Sequence, residues 1–372
     1  MTLDRLRLHR IGMPLVRPFR TSFGTQDHRD LVLVEAISTD GRRGWAECVA
    51  MEWPGYSSEY TDAAIHVIEH HILPRVRALD DLDPYAVRAA MDDLRGHPMA
   101  KAAVSTALLD LWLRERDESL AHWLGAERTM VDCGVSVGIP NSIEALLAEV
   151  GSYVDAGYRR IKLKIEPGWD LEPVAAVRAA WPTIPLQVDA NQAYSRDDAA
   201  HLAKLDAFDL LLIEQPLHEE DWYGHVLLSE ACATPICLDE SILSVASADS
   251  AIRFGATSII NIKPGRVGGY LTSREIHDLC RERDIPVWCG GMLETGIGRA
   301  PNLALAALPG FTLPGDTSAS NRYYAVDLTE PFVLDDGRLP VPTGPGIGVD
   351  PLPSVLDSVT REVIELPPSP AR

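Results

Sequence analysis

At 372 residues, with 46% hydrophobic and 24% charged residues, the chain suits a large barrel plus a smaller companion domain, and its composition excludes a disordered or fibrous protein. A formal net charge of −20 argues against nucleic acid and anionic membrane as partners, since both repel a surplus of carboxylates. No apolar run reaches the roughly 20 residues a membrane helix needs, the N-terminus lacks the pattern of a secretory signal, and the six cysteines show no metal-binding spacing, so a reducing, cytoplasmic setting is expected.

Residues 1–125 predict a small α+β domain. LVLVEAIST and GWAECVAM alternate as antiparallel strands joined at Asp40-Gly41. Two helical patterns follow, from 59 to about 77 and from 98 to about 116. From about Thr129 the rhythm becomes strand–helix–strand, with strands expected at 131–137, 160–165, 186–189, 210–214, 236–239, 259–263, 287–289 and, weakly, 311–313. The eighth unit is degraded, because Pro314-Gly315-Asp316 runs into a Ser/Asn-rich loop. The tail, 321–372, is strand-and-turn sequence expected to fold back onto the first domain. The expected architecture is therefore α/β: a modified (β/α)8, TIM-type barrel over 126–320, with an α+β N-terminal capping domain completed by the C-terminal tail.

Charged residues close successive strands of that barrel at near-constant steps. Lys164, Asp189, Glu214 and Asp239 are 25 residues apart, and Lys263 follows 24 later. One step is one strand, one helix and two loops, so all five belong at the same mouth. Asp189, Glu214 and Asp239 offer hard oxygen ligands without a nearby Cys or His triad, which points to Mg²⁺, with Mn²⁺ as the alternative, rather than zinc. Lys162 and Lys164 alternate with Ile161, Leu163 and Ile165, so both ammonium groups point into the mouth. Lys263, four strands on, stands across the ring from Lys164. Two lysines facing one another over a bound group is the geometry for moving a proton on and off opposite faces of one carbon. A lysine base must be neutral part of the time; neighbouring cations push its pKa down while the acids push back.

Asn191 and Glu240 are expected to orient the ligand carboxylates. Arg266 either lowers the pKa of Lys263 by like charge or pairs with an outer acid. Gly291, after the seventh strand, could bring backbone N–H groups to a carboxylate, and Ser136 on the first strand is a candidate hydrogen-bond donor. His66-Val67-Ile68-Glu69-His70 matches a zinc-protease pattern, but it lies in the small domain and reads as a solvated helix face. Gly265-Arg266-Val267-Gly268-Gly269 lacks the spacing of a nucleotide loop and reads as a tight turn.

At these residues the chain resembles the enolase superfamily, in its muconate-lactonizing-enzyme subgroup. The matching elements are Lys162-Leu163-Lys164, Asp189-Ala190-Asn191, Glu214-Gln215-Pro216, Asp239-Glu240-Ser241 and Lys263-Pro264. PFRTSFGTQ, YSSEY, CGVSVGI, RIKLKIEPGWD, NIKPGRVGGY, WCGGMLETGIGRA and FTLPGDTSAS bring it nearest to the o-succinylbenzoate synthase / N-succinylamino acid (N-acylamino acid) racemase family. The resemblance implies that Asp189, Glu214 and Asp239 bind Mg²⁺, which holds a substrate carboxylate. It places Lys164 and Lys263 on opposite faces of the adjacent carbon, with Lys162 neutralising the enediolate. Phe19, Phe23 and Tyr56, from loops of the N-terminal domain, cover the site, and Met292 and Leu293 join Gly291 at the substrate. A homo-oligomer acting on a small-molecule carboxylate is implied.

The implied reaction is abstraction of a proton α to a carboxylate, leading to racemisation, dehydration to o-succinylbenzoate for menaquinone, or both. An Arg placed like Arg266 goes with racemase activity in this family. Dipeptide epimerase and muconate cycloisomerase share the lysines, but Gly315-Asp316-Thr317 offers no Asp-x-Asp clamp for a dipeptide's ammonium group. A barrel hydrolase would need histidine ligands that this mouth lacks. A non-catalytic barrel-derived binding protein would be expected to have lost one of the five core residues.

Overall fold

In the computed structural model, which describes residues 2–366, the alternating N-terminal sequence forms β1 (Leu3–Thr21), β2 (Gly24–Ser38) and β3 (Arg43–Cys48). β1 and β2 make one long hairpin whose two-residue turn is Ser22-Phe23, since Thr21 pairs with Gly24. The register slips between Pro14 and Phe19, as expected where prolines at 14 and 18 cannot donate to the ladder. The predicted helix over 59–77 is found as Thr61–Val67 and Leu73–Val76 joined through a π turn at Ile68–Ile72. Pro74 has no N–H to give the carbonyl four residues back and its ring crowds it, so the turn widens. The second helix, Pro98–Glu115, packs on β3 beneath the sheet.

The barrel strands follow in order. The expected first strand, 131–137, is split. β4 (Met130–Asp132) belongs to a separate two-stranded ribbon, and only β5 (Gly134–Val137) enters the barrel. β6 (Arg160–Lys164), β7 (Leu186–Asp189), β8 (Ile213–Glu214), β9 (Ile236–Leu238), β10 (Ile259–Ile262) and β11 (Val287–Cys289) continue a parallel sheet in sequence order. Helices on the outside cover it, so apolar residues such as Ile161 and Leu163 pack outward while their neighbours fill the interior.

The eighth position is closed irregularly. Phe311 bridges Val287 alone, and the seal is made two turns of chain later, where Asp316 N donates to Cys289 O (2.8 Å) and Gly134 N donates to Gly315 O (2.7 Å). Pro314 prevents a longer ladder. Gly315 is required by the close approach, because a Cβ there would lie 2.7 Å from the Cys289 carbonyl oxygen.

β12 (Arg338–Pro340) pairs with β4, and β13 (Thr360–Leu366) adds to the free edge of β1. Between them the tail is fastened by Asp110. This fully buried carboxylate in helix Pro98–Glu115 accepts from Trp45 N (2.7 Å), Ile347 N (2.7 Å) and Arg114 Nε (3.0 Å). Removing it strands two buried amides and a guanidinium at once. Asp110→Ala is therefore expected to cost about 3–5 kcal/mol, read as a lowered urea midpoint; an unchanged midpoint would show that water replaces these bonds. No helix among the described residues is long and apolar enough to cross a membrane, and all six cysteines are free and buried.

Candidate active site

The parallel register lays Lys164, Asp189 and Glu214 in one row across β6, β7 and β8, with Lys162 one inward step earlier on β6. Asp239 and Lys263 follow directly on β9 and β10, and β10 is separated from β6 by three strands. All six side chains are buried, the three lysines being only 2–8% exposed. Charges so deep must compensate one another.

They do so as three linked pairs. Lys162 Nζ donates to Glu214 Oε2 (3.0 Å) and Asp316 Oδ2 (2.6 Å) and lies 3.4 Å from Asp189 Oδ2. Lys164 Nζ donates to Asp189 Oδ2 and Asn191 Oδ1, both at 2.6 Å. Lys263 Nζ donates to Asp239 Oδ2 (2.8 Å) and the Tyr56 hydroxyl (3.1 Å). Arg266 contacts the other Asp239 oxygen and also donates to the Tyr56 hydroxyl (3.1 Å), Ile242 O (2.9 Å) and Asn261 O (2.9 Å). Of the two readings of Arg266, pairing is the one observed, with the acid expected to bind metal and not with an outer one.

Burial pulls the pKa values of Lys162 and Lys263 down, but the surrounding acids outweigh it and raise both: Asp316 and Glu214 at Lys162, and Tyr56, Glu214 and Glu240 at Lys263. Of the two opposing influences expected on these lysines, the acids prevail in this arrangement. Burial raises the Asp189 carboxyl, yet Lys164 and Lys162 bring it down to about 2. Glu214 is raised by its burial and by the Asp189 charge beside it.

Supporting groups fix these rotamers. Asn191, at φ +42°, receives Lys164, donates from Nδ2 to Glu240 Oε1 (3.0 Å) and gives its backbone N–H to Asp189 Oδ1 (3.0 Å). Gln215 Oε1 accepts from Asp239 N (2.9 Å) and Ser241 N (3.2 Å), so the side chain after Glu214 holds the loop that carries Asp239. Asn261 Nδ2 donates to Glu214 Oε1 (2.8 Å).

Lys164 and Lys263 line one small cavity of about 50 Å³, together with Phe19, Phe23, Tyr56, Asn191, Gly291, Met292 and Leu293. Thr21, Gln26, Arg29 and Met51 complete its wall. Lys162 and the three acids are not on its lining. Ser136 is not on its lining and serves the barrel instead, its hydroxyl donating to Asp316 Oδ1 (3.2 Å).

Of the three covering residues, Phe23 in the hairpin turn and Tyr56 lie in loops as expected, and Phe19 does not. Phe19 belongs to a strand of the β1–β2 hairpin, whose tip is laid across the mouth. Ser22 Oγ donates to Ala190 O (3.1 Å), Arg20 pairs with Glu166 (2.8 Å), and Ile139 N donates to Arg20 O (2.9 Å). Tyr56 is more than an apolar wall, because its hydroxyl donates to Asp239 Oδ2 (3.2 Å) while accepting from Lys263 and Arg266.

Sequence reasoning missed Asp316. It accepts from Lys162 and Ser136 and pairs with Arg160 (2.9 Å), whose guanidinium lies over the Trp288 ring. Its signal was the strand-end rule applied to the eighth position, hidden by the Pro-Gly that precedes it.

The donor set of Asp189, Glu214 and Asp239 suits a hard divalent cation, being all carboxylate. Buried Glu240 Oε2 and Asn261 Oδ1 beside it have no hydrogen-bond partner. The carboxylate oxygens are turned onto ammonium and guanidinium groups, and among the described residues no three His, Cys, Asp or Glu are gathered closely enough to hold a metal ion. The His66–His70 motif gives no such cluster either; its rings lie 4.4 Å apart on an exposed face.

The chain matches two known protein families. Residues 145–355 match the enolase C-terminal domain-like family, and residues 7–125 match the mandelate racemase / muconate lactonizing enzyme N-terminal domain. The chain is 58% identical to an N-succinylamino acid racemase of Amycolatopsis sp., over 97% of this chain and 98% of that one. It is 44% identical to an o-succinylbenzoate synthase of Geobacillus kaustophilus, over 94% of both. Among solved structures, an enolase-superfamily member from Listeria innocua superposes with a TM-score of 0.95 at 41% identity, covering 99% of each chain.

Proposed function

Because the chain belongs to the enolase superfamily, in its mandelate racemase / muconate lactonizing enzyme branch, we propose that it removes the proton α to the carboxylate of an N-succinylamino acid and returns one to either face. Dehydration to o-succinylbenzoate is the second reaction of the same site. The observation that carries this reading is that Lys164 and Lys263, from strands on opposite sides of the barrel, line the same cavity. The relatives named racemase and synthase support the choice of reactions.

Asp189, Glu214 and Asp239 would hold the divalent cation, and their lysine and arginine contacts must give way to admit it. The cation supplies the positive charge that makes a hydrogen next to a carboxylate acidic enough to remove. Lys162 stays protonated, held by Asp316, and lends its charge to the carboxylate oxygens as they gain negative charge. In racemisation, neutral Lys164 takes the proton from one face while the Lys263 ammonium gives one to the other. The reverse sense interconverts the same pair, and the two lysines end with exchanged proton states. In dehydration, Lys164 takes the proton and passes it to the hydroxyl departing from the same face, so that water leaves. Arg266 and Tyr56 orient Lys263 through Asp239.

A cavity of about 50 Å³ is far below the roughly 300 Å³ at which small-molecule sites begin, so the hairpin tip must lift for substrate to enter. Its anchors on the barrel are few and polar, whereas Phe19 and Phe23 supply the apolar contact. Truncating Phe19 or Phe23 to Ala is expected to lower kcat/KM about tenfold or more for N-succinyl-phenylalanine, and least for the alanine derivative. Equal losses across a size series, with a lower melting temperature, would assign both rings to packing alone. The reaction itself is tested with purified protein and Mg²⁺, assayed in parallel on N-succinyl-phenylalanine in D₂O and on the hydroxycyclohexadiene carboxylate that dehydrates to o-succinylbenzoate. Absence of solvent deuterium at Cα together with absence of dehydration would refute the reading.

A further inference from the structure

A much larger cavity, of about 420 Å³, lies outside the lysine site, between Val16-Arg17 of β1, the helix Ile143–Asp155 and the tail around Phe332. Its volume falls within the range of small-molecule sites. Its walls are mainly apolar and aromatic, and Arg322 lies among them, only 4% exposed.

That guanidinium is incompletely satisfied. Its Nη2 donates to Ser136 O (2.6 Å), Glu149 Oε1 is 3.8 Å away, and its buried Nε has no hydrogen-bond partner. It is held instead against three rings, with centroids 5.5 Å (Phe19), 5.0 Å (Tyr153) and 4.9 Å (Tyr323) distant. Arg17 at the rim is also poorly paired, 3.5 Å from the same Glu149 oxygen, which already accepts from the Tyr153 hydroxyl (2.9 Å). One acid shared at long range between two guanidinium groups leaves the cavity with a net positive charge. A buried arginine costs free energy that such pairing does not recover.

We propose that this cavity is a second ligand site, taking an apolar monocarboxylate, an aryl-alkanoate in shape, with its carboxylate on Arg322 and Arg17 and its apolar body against the wall. Charge-assisted bonds to both guanidinium groups orient the ligand, and burial of the body supplies most of its affinity. Phe19 touches Arg322 and also lines the lysine cavity.

The test is calorimetric titration of the full-length protein with 3-phenylpropionate, which has no α-acylamino group to turn over. Saturable binding is expected, with the neutral 3-phenylpropanamide about tenfold weaker or worse. Ala156→Trp fills the cavity from the exposed end of its helix and should abolish binding. Arg17→Ala should weaken it severalfold. Both variants should keep the wild-type kcat/KM on a small N-succinylamino acid. Glu149→Gln removes the competing carboxylate while retaining an acceptor for Tyr153, and should tighten binding. Equal affinity for acid and amide, or undiminished binding in Ala156→Trp, would overturn the proposal, the latter placing the ligand in the lysine cavity. So would absence of binding to the wild-type protein; if self-association, followed by sedimentation, were then broken by Val333→Glu, a second copy would be the occupant.

Discussion

Lys164→Ala is expected to abolish racemisation and dehydration together, lowering kcat on the order of 1,000-fold or more, whereas Lys263→Ala abolishes racemisation and only weakens dehydration. The asymmetry follows from the chemistry. Dehydration takes and returns a proton on one face, so the second lysine contributes charge alone; racemisation needs a proton carrier on each face. Deuterium exchange separates the roles even where net turnover is too slow to follow. In D₂O each single-lysine variant should exchange only the enantiomer whose hydrogen faces the surviving lysine. Lys263→Arg serves as the control for charge, keeping a cation against Asp239 and Tyr56 without a group able to act as base at neutral pH. If Lys164→Ala still exchanged both enantiomers, the assignment of the two bases would be wrong.

Glu214→Gln is expected to be nearly as severe, by a different route. Glu214 is fully buried between Lys162 and Asn261, and it is the middle member of the row of acids that ends β7, β8 and β9. Removing its charge while keeping its shape takes one of three anions from the proposed Mg²⁺ site. Changes to groups that merely orient ligands cost 10- to 100-fold in affinity, so loss of a ligand charge should cost about 100-fold or more. Calorimetric titration with Mg²⁺ reads this independently of activity. The melting temperature gives a second reading, because Mg²⁺ should raise it in the wild type and leave the variant unmoved. Full turnover by chelator-stripped wild-type enzyme would remove the metal from the mechanism.

The acids and lysines of this mouth could be found without coordinates because barrel strands fix both period and direction. A constant step of about 25 residues puts strand-end residues at one rim, and an alternation of two puts Lys162 and Lys164 on one side of β6. Burial on both faces leaves a charged residue in such a strand nowhere to go but inward, so Lys162, Lys164, Asp189, Glu214, Asp239 and Lys263 followed from pattern alone, and Asp316 did not. Of the hairpin over residues 3–38 only the second strand was legible, as the alternation of LVLVEAIST, because its turn at Ser22-Phe23 lacks the Asn-Gly or Asp-Gly signal that marks most tight hairpins.

What sequence determined, then, is the repeat, the barrel and the charged residues at its mouth, since these depend on local periodicity and on the cost of burying charge. Tertiary structure decided which charge meets which. Asp316 entered the site because the Pro314-Gly315 segment seals the barrel by two backbone bonds, a closure that no periodicity announces. Arg266 turned to Asp239, and the Tyr56 hydroxyl reached both Asp239 and Lys263 because a domain distant in sequence is laid over the mouth. The second cavity exists only because a tail segment from beyond residue 320 packs against both β1 and a barrel helix. Contacts of that kind are set by the mutual placement of whole elements, about which neighbouring residues in a chain carry no signal.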